Sequence, residues 1–453
     1  MTGTNNGLAN ALEKLFKLRE RNTSVKTEFI AGLTSFMAMS YVIFVNPNIL
    51  AEAGVPKEAA IAATLAATIL ATLLMGLWAN FPVGVAPGMG LVAFFTYTVV
   101  LGVGLSWQTA LGAVFISGMV FFVLTLGGIR QAIIAVVPQN LKYAIAVGIG
   151  CFIAFIGLQK SGIVVDSPAT LVTAGHIGDI AFEPGKPAPL LTIVGLVVTA
   201  VLMARRVTCA LLIGILVTTL LGMLLGACPY PKSMADVVSS KLPDISATFL
   251  AMDIRGALNY GIISIIFSFT VVELFDNIST LIGVTRKAGL MKEDGSIENL
   301  DRALMADAVG SMTSAALGTC TVSSYIESAA GVSAGGRTGL TAVVIALFFA
   351  LALFFTPLVA FVPAFATAPA LIIVGYLMMT EIVHIDFNDM TEALPAFLTV
   401  IMMPLTYSIA NGFAFGFISY ALLKLFTGKW REVKMLTWLI SLAFVINFAL
   451  KFE

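Results

Sequence analysis

Fourteen apolar stretches of about 20 residues, two of them interrupted by glycine and proline, constrain this chain more than any other feature of its sequence. A helix needs about 20 mostly apolar residues to cross the hydrocarbon core of a bilayer. Candidates fall at 28–50, 57–79, 82–103, 106–127, 141–160, 188–205 and 207–227, then at 257–283, 302–318, 319–336, 339–361, 365–381, 393–410 and 411–427. A further apolar segment at 432–450 either crosses or lies along the surface. Of 453 residues, 59% are hydrophobic and 11% charged, and the mean hydropathy is +0.99. Soluble domains carry about 25% charged residues, so an all-α polytopic membrane protein is expected.

The polar stretch 228–256 sets seven spans apart from seven. It divides the chain into an N-terminal segment 1–27, a first seven-span repeat 28–227, a connecting loop 228–256, a second seven-span repeat 257–427 and a C-terminal apolar segment 428–453. An odd number of spans per half makes the second half insert upside down, the inverted-repeat layout of secondary transporters. Lys14, Lys17, Arg19, Arg21 and Lys26 precede the first span. Arg130, Arg205, Arg206, Arg286, Lys287, Lys292, Arg337, Lys429 and Arg431 fall in loops of matching parity. Basic residues accumulate on the cytoplasmic side, so the N-terminus is expected there, in the plasma membrane.

Several function classes lose their footing on composition alone. A formal net charge of zero gives no basic face for nucleic acid. Cys151, Cys209, Cys228 and Cys320 are scattered without a CxxC pair, and read as structural thiols. Two histidines, His176 and His384, supply neither a metal cluster nor a nucleophile–base set. No enzyme and no resident cofactor are therefore expected.

The two interrupted segments carry the chemistry. The third span holds Pro82 and then Pro87-Gly88-Met89-Gly90-Leu91, and the tenth holds Tyr325-Ile326-Glu327-Ser328-Ala329-Ala330-Gly331 with Gly335, Gly336 and Gly339 beyond. Broken segments at corresponding positions of two halves point to a binding site, and an acid at membrane depth points there by default. In the eighth span Glu273, Asp276 and Asn277 sit in an apolar background, and Asp276 and Glu327 are expected to meet near the midplane. The bland alternative is that either acid merely pairs with a polar neighbour to hold helices together. Glycine-freed backbone at Gly88, Met89 and Gly90, with Phe94 behind, suits a flat hydrogen-bonding solute, although aromatic rings in membrane helices more often only pack.

Asn46-Pro47, Ala86-Pro87-Gly88-Met89-Gly90-Leu91, Leu274-Phe275-Asp276 and Tyr325-Ile326-Glu327-Ser328-Ala329-Ala330-Gly331 resemble the AzgA-like purine permeases of the nucleobase–cation symporter-2 family. The resemblance runs through nearly the whole chain. It implies fourteen spans in two inverted repeats, arranged as a core and a gate domain, and proton-coupled uptake of purine bases. It places substrate between spans three, eight and ten, which assigns Asp276, Glu327, Ser328 and the backbone around Gly88 and Gly90. The chain departs from the family at Val92, where asparagine is usual, and at Asp276-Asn277-Ile278-Ser279-Thr280, where the pattern reads Asp-Thr-x-Gly-Thr.

The expected activity is import of adenine, hypoxanthine or guanine with protons carried by Glu327, Asp276 or Glu273. A same-fold carrier for xanthine, uracil or an anion is the alternative, and an ion channel is the reading from another class. Partners are then a purine nucleobase, the proton and the lipid bilayer. The oligomeric state is open, with a homodimer as one option.

Overall fold

The computed structural model describes residues 12–127, 137–178, 182–239, 241–259, 263–291 and 297–449. Arg130 and Lys292, used above for orientation, lie outside the described residues, as does 260–262 of the expected eighth span.

Helices α1 (Val25–Met39) and α2 (Val42–Glu52) occupy the first apolar stretch, and α3 (Lys57–Leu74) runs on through a π-helical turn, Met75–Ala79. Strand β1 (Val85–Pro87) and α4 (Met89–Ala93), continued as a π-helix over Phe94–Gly102, make up the third segment. Helices α5 (Trp107–Leu126), α6 (Gln139–Lys160), α7 (Pro189–Ala204) and α8 (Ala210–Leu224) follow, with the β2–β3 hairpin (Val164–Ser167, Leu171–Ala174) between α6 and α7. The second half gives α9 (Ile263–Lys287), α10 (Leu300–Leu317), strand β4 (Val322–Ser324), α11 (Ser328–Ser333) and α12 (Gly339–Ala352). It closes with α13 (Ala364–Met379), α14 (Met390–Leu405), α15 (Ile409–Phe426) and α16 (Met435–Ala449). Among the described residues, eight helices are long and apolar enough to cross a membrane, and five shorter apolar ones join them. The chain is a polytopic, mostly helical membrane protein.

Helices sort into two bundles by what they touch. In the first, α1 packs on α11 and α12, α3 on α2, α10 and α12, and α5 on α9 and α10. In the second, α6 packs on α13 and α14, α7 on α8 and α13, and α14 on α15. Each bundle therefore mixes helices from both halves of the chain.

The interrupted segments break because their sequences remove helix donors and demand unusual backbone. α3 ends on Asn80, held left-handed at φ 56, and Pro82 and Pro87 cannot donate to a continuing helix. α10 ends on Gly318 at φ 98, a conformation glycine adopts freely. The freed backbone is satisfied by pairing the two segments with each other. β1 and β4 run antiparallel with Val85 opposite Ser324, Ala86 opposite Ser323 and Pro87 opposite Val322. Flanking bonds from Tyr325 N to Gly84 O (2.9 Å) and Gly88 N to Thr321 O (3.2 Å) extend the ladder. Within the mostly helical fold the described residues hold two short strand pairs, one at the heart of the first bundle and one in a loop.

At one end the bundles are pinned together. Lys160 of α6 pairs with Glu52 of α2, which also accepts from the Tyr97 hydroxyl, and the Lys160 ammonium lies 5.3 Å from the Tyr97 ring centre. Thr98 donates to the Tyr407 carbonyl (2.8 Å), and the Tyr407 hydroxyl to Gln159 (2.6 Å).

Candidate transport site

The crossing of β1 and β4 gathers the polar groups. Successive strand side chains point to opposite faces, and Ser323 and Ser324 do so here. The Ser323 hydroxyl bonds the carboxyl of Asp276 on α9, whereas the Ser324 hydroxyl reaches both oxygens of Asp307 on α10, at 3.0 and 3.2 Å. Glu327 sits where β4 gives way to α11, and Tyr41, between α1 and α2, donates to its Oε1 at 2.7 Å. Asp276 and Glu327 are both half-buried and within electrostatic reach of each other. They are the two expected site residues that the fold brings together with part of their surface open.

Other expected site residues are held differently. Ser328 is fully buried, and its hydroxyl accepts from Gly84 N at 3.0 Å, so it ties the two broken segments together. Gly88 caps α4 directly beneath Ser323, whose Oγ would lie 2.9 Å from a Cβ there. Met89 is buried, while Gly90 is half-buried and faces the second bundle, where a Cβ would come within 2.6 Å of Ile149. Gly88 and Gly90 thus let the first broken segment approach its neighbours closely.

Three expected residues are held in packing or structural contacts. Phe94 is fully buried in a T-shaped pair with Phe269, ring centres 4.8 Å apart, so it packs inside the bundle. Asn277 is fully buried, and its Oδ1 accepts from Ser324 N at 2.7 Å, which makes it an anchor for β4. Glu273, also fully buried, accepts from Ser311 of α10 at 2.5 Å, one helical turn away from Asp276 and behind the strand. Asp276 and Asn277 are adjacent on a helix and point about 100° apart, which is why one faces the gap and the other the strand. Val92, the departure from the family pattern, is fully buried in the apolar core.

Tyr41, Ser323 and Tyr325 complete the site and were not among the expected residues. Tyr325 is buried with its hydroxyl on the Pro87 carbonyl (2.5 Å) and its ring centre 6.3 Å from that of Tyr41. The hydroxyl-rich run Thr319-Cys320-Thr321-Val322-Ser323-Ser324-Tyr325 beside Glu327 was the signal for the last two. Tyr41 carried a fainter one, the polar pair Ser40-Tyr41 in the middle of an apolar stretch.

Two clefts lie away from this crossing. One of about 440 Å³, beside the Glu52–Lys160 pair, is also lined by Asn48, Lys57 and Phe365. Another of about 290 Å³ is apolar, between Leu124 of α5, Val271 of α9, Phe417 of α15 and Ile440 of α16. Neither touches Asp276 or Glu327, so the carboxyl pair and not the cleft volume marks the site.

Two bundles clasping a pair of strand-interrupted segments define a membrane carrier. The transmembrane domain of the cyanobacterial bicarbonate transporter BicA shares this fold, with a TM-score of 0.64 at 13% identity over 85% of this chain and 96% of that one. The chain matches the Permease family (Xan_ur_permease) over residues 26–415 and belongs to it. Adenine permease AdeP of Escherichia coli is 42% identical over 436 residues, 96% of this chain and 95% of the relative. Guanine/hypoxanthine permease PbuO of Bacillus subtilis is 44% identical over 440 residues, 96% of this chain and 99% of the relative. The protein is a permease and not an enzyme.

Proposed function

We propose that this permease imports purine nucleobases, namely adenine, hypoxanthine or guanine, together with protons by alternating access. The observation that carries the reading is the half-buried pair Asp276 and Glu327 at the crossing of the two broken segments, in a chain whose full-length relatives are named for adenine and for guanine/hypoxanthine. A purine edge offers donors and acceptors side by side. A carboxylate only accepts, whereas a protonated carboxyl also donates, so the protonation state decides which edge is matched. Arrival of the proton completes the hydrogen bonds to the base, and its loss on the inner side removes a donor and releases the base. The two bundles rock about the strand crossing, in the manner of inverted-repeat carriers. In this reading Glu327 or Asp276 carries the proton, the coupled pair titrating together. The chain crosses the plasma membrane fourteen times with its N-terminus inside.

The test is uptake of labelled adenine, hypoxanthine and guanine into vesicles with and without an inward proton gradient. Wild-type protein is expected to concentrate at least one base only when the gradient is present. Glu327→Gln, which keeps the size of the side chain but removes titration, is expected to abolish accumulation while inserting normally. Accumulation that survives collapse of the gradient would sink the proton-coupled reading, and uptake of none of the bases would sink the substrate.

A further inference from the structure

Glu327 is held partly by its own backbone amide and partly from outside the segment that carries it. The side chain that bonds its carboxyl is Tyr41, contributed by the junction of α1 and α2, and Tyr41 itself is 2% exposed. The bond is 2.7 Å, Tyr41 donating to Oε1. Tyr41 also lies within hydrogen-bonding reach of the Tyr325 hydroxyl, which in turn donates to the Pro87 carbonyl at 2.5 Å. Glu327, Tyr41, Tyr325 and Pro87 thus form a chain of oxygens that starts on one broken segment and ends on the other.

The chemistry of a phenol sets what this chain can do. A hydroxyl is both a donor and an acceptor. When Glu327 is a carboxylate, Tyr41 donates to Oε1 and the bond is charge-assisted. When Oε1 carries the proton, the same phenol accepts from it and turns its own hydrogen to Tyr325, whose proton is already committed to Pro87. Proton on Oε2 leaves the Tyr41 bond as it stands. In every case Oε1 stays tethered at one place, which sets the direction in which Oε2 points. Phenylalanine at position 41 would fill the same space and tether Glu327 in neither state.

We propose that Tyr41 is a positioning residue for transport: its hydroxyl fixes one oxygen of Glu327 through both ionisation states and thereby presents the other to the solute. This rests on the reading of Glu327 as the residue that meets the base. It predicts that the effect of Tyr41 on binding of the base is carried by Glu327.

The experiment is a double-mutant cycle on binding of adenine, hypoxanthine and guanine to purified protein, across a range of pH, with wild type, Tyr41→Phe, Glu327→Gln and the double variant. Tyr41→Phe is expected to melt with the wild type, to weaken binding of the preferred base about tenfold and to displace its pH profile. In the Glu327→Gln background the same change is expected to cost less than about twofold, because residues that act as a unit are not additive. Additive losses, or a Tyr41→Phe protein with wild-type affinity and pH profile, would overturn the inference while leaving the purine reading intact. A wild-type protein that binds none of the three bases would overturn both together.

Discussion

The two bundles bury polar groups in opposite ways. In the first, directional bonds run between elements: Glu28, fully buried on α1, accepts from Arg337 N (2.9 Å), Thr338 N (3.3 Å), Thr341 N (3.2 Å) and the Thr341 hydroxyl (2.5 Å) at the start of α12. Asn80 accepts from Gly339 N at 2.7 Å, and Asn46 donates to Thr64 and Thr319. In the second bundle threonines mostly satisfy themselves on their own helices, as Thr199 does on Gly195 O, Thr218 on Gly214 O and Thr399 on Pro395 O. Glycines let backbone meet backbone in it, as Gly76 and Gly339 do in the first bundle. A Cβ on Gly150 would meet Gly375 O at 2.7 Å, and one on Gly375 would meet Gly150 O at 2.4 Å. Charged groups collect at one end, where Lys424 meets Glu392 and Glu432, and Asp389 meets Lys429. Small residues let helices in a bilayer associate by close van der Waals packing. The body that holds the carboxyls is therefore cross-braced through Glu28, Asn80 and Asn46, whereas the charged pairs of its companion collect at one end.

The largest expected effect lies in the cross-braced body. Glu28→Ala leaves four buried donors at the start of α12 without their acceptor, and each unmet group costs about 1–3 kcal/mol. A loss of roughly 3–5 kcal/mol is expected, with Glu28→Gln losing less because one oxygen still accepts. Thermal melting in detergent reads it directly, and a Glu28→Ala protein that melts with the wild type would break the contrast between bundles.

Second comes Gly375→Ala. Its new Cβ meets the Gly150 carbonyl, the Ala154 Cβ at 2.7 Å and the Ala154 N at 2.9 Å, none of them the end of a flexible side chain. Overpacking of this kind costs about 1–3 kcal/mol. A melting point lowered by less than for Glu28→Ala is the expected order, and the reverse order would show that backbone contact, not cross-bracing, carries more of the stability.

The smallest effect is Asp389→Asn. The Lys429 ammonium at 2.9 Å, with the Thr391 amide and hydroxyl, holds the Asp389 carboxyl well below the usual carboxylate range. A depressed folded-state value means that the contribution is complete above the unfolded value, about 4, and is lost only as pH falls through the folded one. The gap in melting temperature between wild type and Asp389→Asn should therefore stay constant from about pH 8 to about pH 5 and narrow only in stronger acid. A gap that already shrinks between pH 7 and pH 5 would remove the Lys429 pairing as its cause.

Much of the architecture was legible because apolar length is a local property. The stretch expected at 57–79 is the helix Lys57–Ala79, that at 106–127 is Trp107–Leu126, and that at 141–160 is Gln139–Lys160. The acids Asp276 and Glu327 were legible for a related reason, since charge is rare in such segments. What could not be read was which neighbour each side chain would meet. Glu28 looks interfacial at the edge of an apolar stretch, and only the arrival of α12, some 310 residues later in sequence, buries it. Phe94 looked available for stacking, but it is buried against Phe269, from the other half of the chain. Asn277 needed the strand before its amide had a backbone to cap, and no periodicity announces a strand of three residues.

That strand carries a consequence for how such a chain can change over generations. Ser323 serves Asp276 and Ser324 serves Asp307 only because they fall on alternate faces of β4, opposite Ala86 and Val85. A slip of one residue in a strand exchanges its two faces. Gain or loss of a single codon between the end of α10 and Glu327 would turn each serine toward the other's acid and displace the carboxyl that Tyr41 holds. Substitutions there can be tried one at a time, but length cannot, so the spacer from Gly318 to Glu327 behaves as an inherited ruler whose parity is fixed even where its letters are free.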